Sequence, residues 1–244
     1  MSERLDGGAV PNDPMREYVA LYPEVVRAGS LRSALQAVVD HGGHGLAVGL
    51  TSSPGWRHVA ARVEADGRWA NVLMAPGERC FIVDCGAGGV RMASGSTPDL
   101  FAVAGALHSW LRVSRVGELV AQCPFLRTWE LAEAHERGEG AGVRWRRLRE
   151  AAARMPDTAL HALVEAAFQQ ERLRALSPGR STHWLTFSRR AVPPICNDLP
   201  RVMPIGNGRY RVRFADGLLQ ELDSAAEAVA VILAGLPDDA VPRT

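Results

Sequence analysis

The run Arg201-Val202-Met203-Pro204-Ile205-Gly206-Asn207-Gly208-Arg209-Tyr210-Arg211-Val212-Arg213-Phe214-Ala215-Asp216-Gly217-Leu218-Leu219-Gln220-Glu221-Leu222 decides how this chain folds. Asn207-Gly208 and Asp216-Gly217 are tight-turn pairs, because both turn positions of a two-residue hairpin favour a left-handed backbone. They divide the run into strands over 201–205, 208–214 and 217–222 joined as antiparallel hairpins. Within 209–214 arginine alternates with Tyr210, Val212 and Phe214. A strand therefore turns three guanidiniums to one face, neighbours about 6.5–7 Å apart, and three apolar side chains to the core. Immediately after, Ser224-x-x-Glu227 has capping-box spacing and opens a final helix burying Val229, Ile232, Leu233 and Leu236.

Working back toward the N-terminus, 182–189 alternates as a further strand, and Ser177-Pro178-Gly179 reads as the break before it. The stretch up to Leu176 reads as helical. Thr128 caps one segment ending at Gly138, 143–155 forms a second, and 157–176 a third with Leu160, Val164 and Phe168 inward. Thr97-Pro98-Asp99 opens the helix carrying Leu100, Val103, Leu107 and Leu111. Before it, 46–50, 57–64, 68–74 and 79–84 are short strand-like runs. The connections between them, including Asp66-Gly67, are too short for parallel crossovers and favour an antiparallel meander. The Gly-rich stretch 86–95 ends or continues that sheet. Residues 1–12 read as a loose terminus. Asp13-Pro14 starts a helix that Pro23 can split, and Ser30 starts another that stops near His41-Gly42-Gly43. The expectation is an α+β protein. Its parts are N-terminal helices and an antiparallel meander over 1–96, a helical segment over 97–176, and C-terminal antiparallel strands with a final helix over 177–244, the last two standing as separate parts or packing as one domain.

All 28 basic side chains are arginine, against 27 acids, for a net charge of +1. Without lysine there is no Schiff-base chemistry, no pyridoxal phosphate anchor and no Walker-type phosphate grip. No cofactor is expected. The 47% hydrophobic and 23% charged content is that of a folded globular protein. No apolar run reaches membrane-spanning length, and the start Met1-Ser2-Glu3-Arg4 lacks an apolar signal region. Cys80, Cys85, Cys123 and Cys196 are too sparse for a disulfide framework, so reduced thiols and a cytoplasmic setting are expected.

The balanced total conceals segregation. Nine arginines and one acid, Asp198, fall within 172–213, leaving 19 arginines and 26 acids elsewhere. Such segregation marks either a face for an anionic partner or a solvated outer strand surface. Guanidinium forks suit phosphate and carboxylate, so Arg189, Arg190, Arg209, Arg211 and Arg213 are the candidate anion-binding residues. In the strand over 182–189 His183, Leu185, Phe187 and Arg189 share a side. That places His183 as a candidate general acid or base and Arg189 as an anion clamp, with Asp84 or Cys85 as conceivable helpers. His183 equally suits a purely structural role at a strand end. Asp84-Cys85-Gly86-Ala87-Gly88-Gly89 lacks the pattern of a phosphate-cradling loop, and no histidine lies near Cys85 in sequence. His41 and His44 have ligand-like spacing but no following Cys or acid cluster, so no metal site is expected. Arginines 144, 146, 147 and 149 surround their helix instead of lining one stripe, and a nucleic-acid partner is not expected.

Three groups of residues resemble an actinobacterial family described as natural product biosynthesis proteins. They are Phe125-Leu126 with Leu131-Ala132-Glu133-Ala134-His135-Glu136-Arg137-Gly138 and Val143-Arg144-Trp145; Ser181-Thr182-His183 through Phe187-Ser188-Arg189; and Gly208-Arg209-Tyr210-Arg211-Val212. The likeness spans roughly 98–236. It implies a secondary-metabolite or peptide-maturation context and brings no catalytic residues. Two functions follow as expectations. One is an accessory or binding protein that engages an anionic small molecule or peptide, such as an acidic peptide or a phosphorylated intermediate, through the Arg-rich C-terminal face. The other is a cofactor-independent lyase, cyclase or isomerase built on His183 and Arg189.

Overall fold

The computed structural model describes residues 15–113, 115–190 and 198–240. The expectations for residues 1–12, for the Asp13-Pro14 cap and for Cys196 lie outside these. The protein is α+β, with two five-stranded antiparallel sheets among the described residues. The chain divides into two compact units, Met1–Ala87 with Arg91–Thr128, and Gly88–Val90 with Trp129–Thr244. The helical stretch 97–176 therefore splits between them at Thr128.

The first unit begins with α1 (Pro23–Ala28) and α2 (Leu31–His41). Pro23 occupies the first turn of α1, where its missing N–H costs nothing, so it starts a helix and separates it from the single turn before. Ser30 caps α2 through the Ser33 N–H. The meander is β1 (Ala60–Ala65), β2 (Arg68–Met74), β3 (Phe81–Ala87), β4 (Val90–Thr97) and β5 (Leu126–Arg127), in sequence order across the sheet. α3 (Leu100–Arg112), capped by Asp99, and α4 (Val116–Gln122) complete it.

The strand expected over 46–50 is absent. Apart from one isolated bridge, Gly49 with Arg62, that segment is a loop. The Gln36 side chain on α2 takes over its backbone, donating to the Leu46 carbonyl and accepting the Val48 N–H. A buried backbone needs partners, and here a side chain supplies what a ladder would have.

The second unit opens with α5 (Glu130–Glu136), α6 (Gly140–Arg154), α7 (Thr158–Gln169) and α8 (Glu171–Arg174). Trp129, not Thr128, stands at the start of α5, because the Thr128 hydroxyl donates to the Met92 carbonyl instead. The meander β6 (Ser177–Ser181), β7 (Trp184–Ser188), β8 (Arg201–Gly206), β9 (Arg209–Arg213) and β10 (Leu219–Leu222) is followed by α9 (Ala225–Ala234). Ser177-Pro178-Gly179, expected to be a break, is the start of β6. Proline is tolerated there because β6 is a sheet edge. The strand expected over 182–189 is correspondingly shorter, and Thr182 sits in the left-handed region at the β6–β7 turn, with φ of 55°.

One face of this sheet is the core of the unit. Leu185, Phe187, Val202, Tyr210 and Val212 are buried there with Trp145, Leu163, Val164 and Ile232 from the helices. The Trp145 indole N–H donates to the Leu176 carbonyl at 3.0 Å, and the Tyr210 hydroxyl donates to Ala159 O at 3.1 Å. Each large aromatic thus buries its ring while its polar atom keeps a partner.

Candidate functional site

The opposite face of the second sheet holds the charged residues. β-strand alternation with the buried set fixes which side chains lie on it, and the register aligns them in rows. One row runs Ser181, Trp184, Met203, Arg211, Glu221. The next runs Gly179, Thr186, Arg201, Arg213, Leu219.

The first row is internally neutralised. Glu221 stands directly opposite Arg211 and accepts from it at 2.6 and 3.1 Å, and its other oxygen accepts from Arg209 at 3.3 Å. Hydrogen bonding to Arg211, with the nearby guanidinium charges, holds the Glu221 carboxyl below the usual carboxylate range. As expected, β9 turns Arg209, Arg211 and Arg213 to one side. Two of them, however, already hold a carboxylate of the next strand. Such exposed pairs add little to stability because water and salt screen them, but they occupy the forks.

The second row differs. Arg201 and Arg213 are register partners across β8 and β9, so two like charges face each other at a spacing of about 5 Å between Cβ atoms. Arg201 lies over the Trp184 ring, 5.0 Å from its centroid. That cation–π contact holds the guanidinium against the ring. Among the described residues no carboxylate lies within ion-pair distance of either arginine. On the β10 side, Arg213 faces Leu219. β7 meets β8 at Leu185↔Val202, with no further register pair between them among the described residues. There the two strands bound a cavity of about 290 Å³, lined by Thr186, Phe187, Leu199, Arg201, Arg213 and Phe214. This is the candidate site.

Arg201 and Trp184 were not among the expected site residues. A regular two-residue hairpin at Asn207-Gly208 pairs Gly206 with Arg209, and continued without interruption it would set Val202 opposite Arg213. The register instead shifts between Pro204 and Gly206, so that Arg201 faces Arg213 and Val202 faces Val212. An irregularity of one residue exchanges the two faces of a strand. Here it buries Val202 and turns Arg201 outward. The alternation of Arg201 with Val202 was the available sign.

The other expected site residues are elsewhere. Arg189 is 6% exposed, and its guanidinium engages Asp239 at 2.8 Å and Asp198 at 3.4 Å. Its fork is directed to the chain's own carboxylates. Arg190 is half-buried, and its backbone N–H donates to Ser188 Oγ. His183 is exposed in the β6–β7 turn, not on the strand face assigned to it, whereas Arg189 follows the far end of β7. Six residues of extended chain separate them by about 20 Å, so the structure does not bring the pair together.

In the first unit, burial pushes the Cys85 thiol up to about 12, with nearby Cys123 and Asp84 adding to the shift. It is a core thiol held in its neutral form. Asp84 pairs with Arg91 at 3.4 Å. His44 stacks on His108, with ring centroids 4.5 Å apart, and no group of three or more potential metal ligands occurs among the described residues. On α6, Arg146 and Arg147 engage Glu130, and Arg149 forms a two-pronged pair with Glu165 at 2.7 and 2.8 Å. Arg146, Arg147 and Arg149 are thus each paired with an acid. Among the described residues no helix is long and apolar enough to cross a membrane.

Residues 141–244 match a family of unknown function, DUF6193. The matched stretch begins in α6 and takes in the whole second sheet and α9, and so contains the Arg201–Arg213 row. Comparison with curated proteins found no match, and comparison with solved structures found none.

Proposed function

We propose that the chain is a non-catalytic binding protein whose C-terminal sheet holds an anionic partner at Arg201 and Arg213. The observation that carries this reading is the cross-strand arginine pair itself. Like charges directly opposite each other destabilise a sheet, and no described carboxylate offsets them, whereas one row away Glu221 does so for Arg211. An anion bound between the two forks would supply the missing charge. The resemblance over 98–236 supports a setting in a bacterial natural-product or peptide-maturation pathway, and a cytoplasmic location accords with the free thiols at Cys80, Cys85 and Cys123.

The test is fluorescence anisotropy with labelled poly-L-glutamate as probe. The double variant R201Q/R213Q is compared with R209Q/R211Q, which removes the same net charge from the acid-paired row. The expectation is at least a tenfold loss of affinity for the first, equivalent to about 1.4 kcal/mol, and less than threefold for the second. Equal losses would reduce the reading to unspecific charge attraction, and no loss in either would refute it.

A further inference from the structure

We infer that the Arg201–Arg213 site selects a phosphomonoester over a carboxylate; this rests on the binding reading above. The argument starts from the number of donors. Each guanidinium presents planar N–H pairs, and one such fork is enough to take both oxygens of a carboxylate, as Arg149 does with Glu165. A single carboxylate between Arg201 and Arg213 can reach both, as Glu221 reaches Arg211 and Arg209, but it brings one negative charge against two positive ones. A phosphomonoester is tetrahedral. It presents three terminal oxygens and carries a charge of about −1.5 to −2 at pH 7, so it can meet two forks from two directions and offset both charges.

The surroundings favour the same class. The Trp184 ring holds the Arg201 guanidinium from one side, which suits recognition by a positioned fork and not by a mobile point charge. The cavity volume of about 290 Å³ lies just below the range for drug-sized ligand sites, about 300–1,000 Å³. It suits a phosphoryl group on a short stem. The wall contributed by Phe214, which is half-buried, offers an apolar surface to that stem, and Thr186 lines the same cavity.

Both arginines are retained in a further diagnostic variant, L219E. Leu219 is the β10 residue opposite Arg213 and is 58% exposed, so a carboxylate there can pair with Arg213 as Glu221 does with Arg211. This variant competes with the ligand for one fork and leaves the buried face of the sheet untouched.

The experiment is calorimetric titration of the full chain with three probes, the two phosphates followed also by ³¹P NMR. Phenyl phosphate is the dianionic monoester, dimethyl phosphate the monoanionic diester, and malonate a dianionic dicarboxylate. Phenyl phosphate is expected to bind at least tenfold more tightly than either of the others. R201K/R213K, which keeps the charge and removes the forks, should lose at least tenfold for phenyl phosphate, and L219E at least fivefold. Thermal unfolding of each variant establishes that it is folded. L219E keeps the test decisive if the double arginine variant is not. Malonate binding as tightly as phenyl phosphate, or unchanged phenyl phosphate affinity in the lysine variant or in L219E, overturns the phosphomonoester assignment. In that event poly-L-glutamate binding that still depends on Arg201 and Arg213 leaves the general binding function standing. Loss of both dependences removes both.

Discussion

Arg189 and its two carboxylates respond to mutation in opposite ways, and the structure sets the sign of the difference. The Arg189 side chain is 5% exposed, whereas those of Asp198 and Asp239 are 49% and 66% exposed. Replacing Arg189 with Met keeps an apolar stem of similar length in the buried position and leaves two carboxylates that water can solvate. The lost pairing is then discounted by solvent, and the cost is about 1 kcal/mol. Replacing both acids, D198N/D239N, leaves a buried guanidinium deprived of both carboxylates. A buried charge that loses its carboxylate partners costs about 3 kcal/mol or more, even with the Asp239 backbone carbonyl still accepting from it. The larger loss, by about 2 kcal/mol, therefore comes from changing the exposed members of the cluster. Urea unfolding checks this, followed by circular dichroism and by hydrogen exchange of the Trp145 indole N–H, which lies inside the second unit. The denaturant midpoint should fall further for D198N/D239N than for R189M, with the slope unchanged. Phenyl phosphate affinity should stay within twofold of the unaltered protein in both. If R189M is the more destabilising variant, or if it alone abolishes anion binding, the assignment of Arg189 as an internal tie is wrong.

Two further outcomes follow from the same geometry. Hydrogen bonding from Arg149 holds the Glu165 carboxyl below its ordinary value of 4.5, and Arg146 and Arg211 do the same for Glu130 and Glu221. Carboxyls whose folded-state pKa is lowered contribute stability that is present above the unfolded value and is lost as pH falls through the folded one; urea midpoints should therefore drop steeply below about pH 4.5, and E165Q should make that drop shallower, an unchanged slope counting against the pair. A Cβ at position 95 would stand 2.0 Å from the Phe125 carbonyl oxygen, a backbone atom that cannot swing away; Gly95→Ala should consequently cost about 3 kcal/mol and separate β4 from β5, and a thermal midpoint within about 2 °C of the parent would contradict the close approach.

The meander topology was legible because its turns need particular residues. Asp66-Gly67 and Asn207-Gly208 take the positive φ angles that a two-residue hairpin demands, and Gly217 does so in the turn before β10. Helix starts were equally legible where a side-chain oxygen caps a free N–H, as at Ser30, Asp99, Asp157 and Ser224. The misplaced elements share a cause, which is that the deciding partner is distant in sequence. Gln36 on α2 satisfies the 46–50 segment, and Met92 on β4 accepts from Thr128. Pro178 is tolerated only because no strand lies beyond β6. None of these relations leaves a local periodicity to read.

The site illustrates the same limit more sharply, since a charge count along the chain cannot see across a sheet. The run of basic residues ends at Arg213, eight residues short of Glu221, yet Glu221 is the register partner of Arg211 and accepts from Arg209 as well. The alternation in 209–214 specifies a face but not the net charge upon it. What distinguishes Arg213 from Arg211 is the residue opposite on β10, leucine in one case and glutamate in the other. What gives Arg213 a second guanidinium is the register shift between Pro204 and Gly206 on β8. Stability alone favours an acid at position 219, because cross-strand opposite charges are favourable and an exposed leucine contributes little. A sheet that uses this device at Glu221 and omits it one row away, while turning Arg201 outward to face Arg213, departs from the locally stable arrangement at one place. Such departures are expected where a surface must hold something other than the protein itself, and this one coincides with the cavity between β7 and β8.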